Sequence, residues 1–220
     1  MLIDSEQISN AKHILLITNN RSFANSSALY SYLLTLHKKV SLQNVEALDK
    51  NLSFVPWFEK ARSVRPSTAD YIIEVDDESL ALYEFFTTHS IKINQKMATA
   101  LYAGFYTRYD TFMSEDCDGT IFAVISALLE LKADKKRCRE FLSYRNSLAF
   151  TRLKVRLYNT LLLKESATHA FVSISDEDLK SSGAHLSDAY EILYEFLKIV
   201  HVKRVTLLKS DENNKIIKEI

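Results

Sequence analysis

Glycine and proline are scarce, with three and two in 220 residues. An all-β sandwich needs turn residues at short intervals, so this scarcity favours many helices with short connections. Cysteine is equally rare. Cys117 and Cys138 are isolated thiols without CxxC spacing, which excludes a disulfide framework and fits a reducing, cytoplasmic setting. Charge of one sign is missing too: 28 basic residues balance 28 acidic ones, so net charge singles out neither nucleic acid nor membrane. No window comes near the roughly 18 unbroken apolar residues of a spanning helix. The N-terminal "MLIDSEQISNAK" lacks the basic-then-apolar order of a secretory signal, so none is expected. Paired histidine motifs are absent as well: residues 13, 37, 89, 169, 185 and 201 form no HxH, HxxxH or HExxH. His13 and His201 border strands and read as edge or core residues.

What is present reads as alternating strands and helices. The run from His13 to Thr18 is apolar without alternation, as in a buried parallel strand. A polar turn and a helix follow in "ITNNRSFANSSALYSYLL", with Asn25 and Ser26 expected as caps. Ala28, Leu29, Tyr32, Leu33 and Leu36 make an apolar stripe at helical spacing. Strands are expected at 39–42 and at "DYIIEV" (70–75), and helices at 79–88, 94–108 and 118–132, the last capped by Asp118. A basic helical stretch spans 134–163 with a break near Ser147. Beyond it come strand 169–174, helices 176–182 and 187–200, strand 202–209 and a hairpin through "SDENN" to "KIIKEI".

Ligands in an open α/β sheet bind at the carboxyl ends of its strands, which makes the polar turn after Thr18 and the acidic turn "EVDDES" the places to look. Asp76 and Asp77, with Glu74 and Glu78, would hold a cation together with Asn25, or they form a solvated loop. "SEDCD" (114–118) reads as a loop and helix cap; a Cys117 nucleophile would need a base such as His89 or His169. Tyr102, Tyr106 and Tyr109 share one helical face, for packing, an interface or stacking. Between Lys132 and Lys164 lie Lys132, Lys135, Lys136, Arg137, Arg139, Arg145, Arg152, Lys154, Arg156 and Lys164, opposed only by Asp134 and Glu140. Phe141, Tyr144, Phe150 and Tyr158 are interleaved, a mixture that tracks phosphates and stacks bases; the plain alternative is a charged outer helix face.

"INQKMATALYAGFYTRYDTFMSEDCDGTIFAVISALLELKAD" (93–134) resembles the last conserved block of the DHH phosphoesterases, including nanoRNase-like and RecJ-like members. Residues 151–220 resemble the start of their associated C-terminal domain, and "KHILLITNNRSFANSSALYSYLL" resembles the first block, H-x-N-P-D-G-D-A-x-G-S. The resemblance implies an α/β fold: a parallel-sheet domain (1–133), a helical linker (134–150) and a truncated mixed α/β domain (151–220). It also implies two Mn²⁺ or Mg²⁺ ions held by Asp and His, and here the pattern is degenerate. Asn19 replaces the first histidine, Phe23 the first aspartate and Asn25 the second. Asp76 matches, the Asp-His-His segment is missing between "EVDDES" and "LALYEFF", and Arg108 takes the place of the last metal-binding aspartate.

The expectation is a non-catalytic relative with no metal cofactor. It would bind RNA, a nucleotide, or a protein partner or second copy, through the cleft between the domains and the basic helix. Arg108, Arg21, Arg145, Arg152, Lys154 and Arg156 are the candidate phosphate-binding residues. The alternative is a residual Mn²⁺- or Mg²⁺-dependent phosphoesterase whose minimal site is Asp76, Asn25 and Asp110.

Overall fold

The structure is a computed structural model that describes residues 3–143 and 146–220. The chain divides into two compact units, one running to position 145 and one beginning at Asn146.

The first unit opens with α1 (Ser5–Asn10), capped by Asp4, and β1 (His13–Thr18). α2 (Phe23–Thr35), β2 (Lys39–Asn44), the short β3 (Ala61–Arg62) and β4 (Tyr71–Glu74) follow. The four strands form one parallel sheet in the order β3-β2-β1-β4. β1 is central and buried on both faces, which is why its sequence is a continuous apolar run. Its start is anchored by Asp70, whose carboxylate accepts the N–H groups of Lys12 (3.0 Å) and His13 (2.9 Å). Those bonds, His13's first, hold Asp70 below the ordinary carboxylate pKa. The His13 ring is spent in the sheet between Thr68 Oγ1 (3.0 Å) and Ser41 Oγ (2.8 Å).

α2 is not the one-sided helix that its stripe predicts. Every residue from Phe23 to Ser31 is buried, whereas Leu36 is exposed. Its polar side chains go inside because they find partners there. Ser27 Oγ donates to Pro56 O (2.6 Å), Ser31 Oγ to Ser27 O (2.9 Å), and Trp57 Nε1 to Ser31 Oγ (2.7 Å). The cap is also displaced: the helix starts at Phe23 with Ser22 as its N-cap, so Asn25 lies within the first turns rather than before them.

α3 (Ser79–Thr88) matches its expected limits, and α4 (Gln95–Arg108) and α5 (Gly119–Glu130) fall within a residue or two of theirs. Asp118 caps α5 through Thr120 N (2.9 Å) and Ile121 N (3.1 Å), a bond set worth about 1 kcal/mol. α6 (Lys135–Ser143) turns Cys138 into the core, where burial, and then the charge of Asp134, pushes its thiol up to about 12. That thiol is no nucleophile. Half-buried Cys117 is also raised, by burial and then by Asp118. His89 has one ring nitrogen, Nδ1, 2.9 Å from Phe85 O and its ring against Phe85.

The basic stretch is two helices, as the expected break implies. α7 (Leu148–Asn159) begins the second unit with Ser147 accepting from Phe150 N (3.0 Å), the break expected near that residue. The expected helical end at 163 is instead β5 (Leu162–Lys164), a short edge strand. β6 (His169–Ile174), α8 (Asp176–Ser182), α9 (Leu186–Phe196), β7 (Arg204–Lys209) and β8 (Lys215–Glu219) complete the unit. Its sheet order is β5-β6-β7-β8, with β6 and β7 parallel and both outer strands antiparallel. The β7–β8 hairpin turns at Asn213 and Asn214, both at positive φ, a conformation asparagine tolerates. α9 stops four residues before its expected end. Leu153, Leu157, Val172, Ile192, Leu193, Phe196, Val205 and Leu207 form the core of this unit. His169 is buried beside it, its Nε2 2.7 Å from Thr206 Oγ1, while Thr206 donates to Glu219 (3.1 Å). Among the described residues no helix is long and apolar enough to cross a membrane.

Candidate functional site

The carboxyl ends of β1 and β4 frame the place where the resemblance puts the metals. After Thr18 the chain makes a self-satisfied turn. Asn19 Oδ1 accepts from Arg21 N and Ser22 N (both 3.0 Å), and Ser22 Oγ accepts from Asn19 N (3.1 Å). Asn20 ties the same turn to the loop after β2, taking Asp49 N (2.7 Å) on its Oδ1 and donating to Ala47 O (3.1 Å). Asn19 is therefore a turn-forming residue with its oxygen occupied. Arg21 is exposed at the corner.

The next two positions point inward. Phe23 is fully buried, its ring edge-on to Phe58 at 5.7 Å. Asn25, 1% exposed, reaches across to the end of β4 and donates from Nδ2 to Asp76 O (2.9 Å). Its Oδ1 accepts from Ser79 Oγ (2.8 Å), the first residue of α3. Above this pair lies Gly104 of α4. A Cβ on Gly104 would stand 2.5 Å from Ser79 Oγ and 2.8 Å from Asn25 Oδ1. The close approach of α2 and α4 thus needs glycine here, and the Asn25–Ser79 bond fills the space it leaves. Ser79 and Gly104 were not singled out as site residues by sequence. The available hint was a glycine inside a helix, which costs about 1 kcal/mol and so asks for a packing reason.

Asp76 is half-buried, and its carboxylate accepts Glu78 N (3.2 Å). Arg108, at the end of α4, forms an ion pair with Glu78 (3.2 Å) with both side chains about half exposed. The structure thus brings Arg108 to the Asp76–Glu78 turn. Asp110 is exposed in the turn after α4. Among the described residues no group of three or more His, Cys, Asp or Glu side chains converges to hold a metal ion. A two-ion site needs several anionic or imidazole donors around each cation. The donors at this corner are an amide already bonded twice, a hydroxyl, the Asp76 carboxylate and the Glu78 carboxylate, the last paired with Arg108. They do not fit a pair of divalent ions.

The remaining candidates separate by helix face. On α6, Lys135, Lys136, Arg137 and Arg139 are exposed, with Arg137 near Asp134 (3.8 Å). On α7, Lys154 is tied to Glu195 (2.5 Å), and Arg156 to Asp178 (3.1 Å). Arg152 lies one helical turn from Arg156 and has no ion-pair or hydrogen-bond partner among the described residues. Arg145 lies outside the described residues. The tyrosine face is not a surface: Tyr102 and Tyr106 are buried, Tyr106 bonded to Ser143 (2.6 Å), and only Tyr109 is partly open. Burial pushes the Tyr102 hydroxyl up to about 12.

A solved structure shares this architecture. An exopolyphosphatase-related protein from Bacteroides fragilis superposes with a TM-score of 0.73 at 14% identity, covering 96% of this chain and 79% of that one. A putative family II inorganic pyrophosphatase from Methanococcus jannaschii has a TM-score of 0.35 at 9% identity, covering 90% and 82%. No family model and no curated protein matches the sequence. The fold is shared with the exopolyphosphatase-related protein: a four-stranded parallel sheet with helices, followed by a second, mixed four-stranded sheet.

Proposed function

We propose that this chain is a non-catalytic relative of the DHH phosphoesterases that binds a phosphate-bearing ligand, RNA or a nucleotide, through arginine and lysine side chains. One observation carries the reading. At the corner where the resemblance implies metal-bound aspartates, Asn25, Ser79 and Asp76 O are closed into a neutral hydrogen-bonded set under Gly104. Nothing in that set is left to position a cation or to activate a water. Arg108 brings a fixed positive charge to the same corner, and a guanidinium holds phosphate without a metal. The basic residues Lys135, Lys136, Arg137 and Arg139 of α6 are exposed in the same unit. A protein-partner reading lacks the tyrosine surface it would use.

The test uses the full chain with Mn²⁺ or Mg²⁺ and a dinucleotide, and in parallel a labelled short RNA followed by fluorescence anisotropy. The expected result is no metal-dependent turnover and salt-sensitive RNA binding that weakens about ten-fold in Arg108→Glu. Turnover abolished by Asp76→Ala would establish the residual phosphoesterase instead. RNA affinity unchanged in Arg108→Glu would remove Arg108 from the site.

A further inference from the structure

On the outer side of α7, in the second unit, lies a groove of about 470 Å³ lined by Thr151, Arg152, Val155, Arg156, Asn159 and Ser181. No acidic side chain lines it. Arg152 and Arg156 stand four residues apart, so both guanidinium groups emerge on one face. Two like charges at that spacing repel each other in an isolated helix. Arg156 is compensated by Asp178, which reaches it from α8 with one oxygen on Nη1 (3.1 Å). Burial raises the Asp178 carboxyl, but bonds from Ser175 and then from Arg156 outweigh it and hold it ionised below its ordinary range. Arg152 receives no such compensation.

We propose that this groove is a binding site for the terminal phosphate of a nucleotide, with Arg152 as the principal contact and Arg156 as the second. The proposal rests on the reading of the chain as a phosphate binder and names a site for that ligand in the second unit. Arg152 offers its whole guanidinium fork, and Arg156 keeps the N–H groups that Asp178 does not use. The Asn159 amide adds a donor at the groove wall. The volume far exceeds one phosphate, and half-exposed Val155 gives the rest of the ligand an apolar surface to lie on. Lys154, two residues from each arginine, projects from the opposite face onto Glu195 and Tyr158. It takes no part. A general basic helix would use all three residues; this site uses two.

Calorimetric titration of the full chain with AMP, inorganic phosphate and an unphosphorylated dinucleotide tests it. AMP is expected to bind, inorganic phosphate to compete weakly, and the dinucleotide, which has only an internal phosphodiester, not to compete at the groove. Arg152→Gln should weaken AMP at least ten-fold, the loss of one charged hydrogen-bonded contact. Lys154→Gln should leave the affinity unchanged, with circular dichroism confirming that both variants are folded. Absence of AMP binding, equal losses in the two variants, or no loss in Arg152→Gln overturns the proposal. Loss of AMP only in Arg108→Glu would sink this groove and leave the proposed function standing. Mn²⁺-dependent turnover with Arg152 dependence intact would do the reverse.

Discussion

Replacing Gly104 by alanine is expected to destabilise the first unit by about 3 kcal/mol, although alanine is the better helix former. The new Cβ would lie 2.5 Å from Ser79 Oγ and 2.8 Å from Asn25 Oδ1, distances no folded protein accepts. Either α4 backs away from α2, loosening the buried interface, or Ser79 and Asn25 rotate and leave buried polar atoms without partners. Trp57, the only tryptophan, sits in this unit, so its fluorescence during urea unfolding follows the transition. The loss should shrink when Ser79→Ala is made first, because the nearest clashing atom is then gone. Equal costs in the two backgrounds, or an unchanged midpoint, would show that Gly104 is not the keystone of this corner.

Phe23→Asp is expected to cost at least about 4 kcal/mol and to confer no metal binding. The substitution places an acid where the resemblance implies one, yet the side chain at this position is fully buried against Phe58. A charge there has no partner and no water. Phe23→Leu, which keeps the apolar character and loses only ring volume, should cost about 1–2 kcal/mol and fold normally. A Phe23→Asp protein as stable as its parent would mean that the position faces solvent, against the buried packing on Phe58.

Much of the scaffold was legible in local pattern. The unbroken apolar run of β1 announced a central parallel strand, and β6, α3 and α8 fall on their expected limits. Asp118 capped as its residue type requires. Less legible were features decided by contacts distant in sequence. Asn25 looks like a cap because asparagine usually is one; its bonds run to residues 51 and 54 positions away. Tyr102 and Tyr106 share a face that reads as packing, an interface or stacking until α6 is known to cover them. Arg152, Lys154 and Arg156 look like one basic cluster, but helix geometry and the acids on α8 and α9 divide them. The resemblance implies metal-binding residue types at 19, 23, 25 and 108, and the sequence carries Asn, Phe, Asn and Arg there. What the fold adds is a structural task for each of Phe23, Asn25 and Arg108: ring packing on Phe58, a bridge to Asp76 O and Ser79, and an ion pair with Glu78.

The central claim is that the carboxyl edge of the first sheet holds no pair of divalent ions. Electron paramagnetic resonance of Mn²⁺ titrated into the chain tests it most directly, since bound manganese loses its free six-line signal. The account predicts a free-ion signal that rises from the first addition, identical in the parent and in Asp76→Ala. Two equivalents of manganese taken up by the parent and released by Asp76→Ala would contradict it.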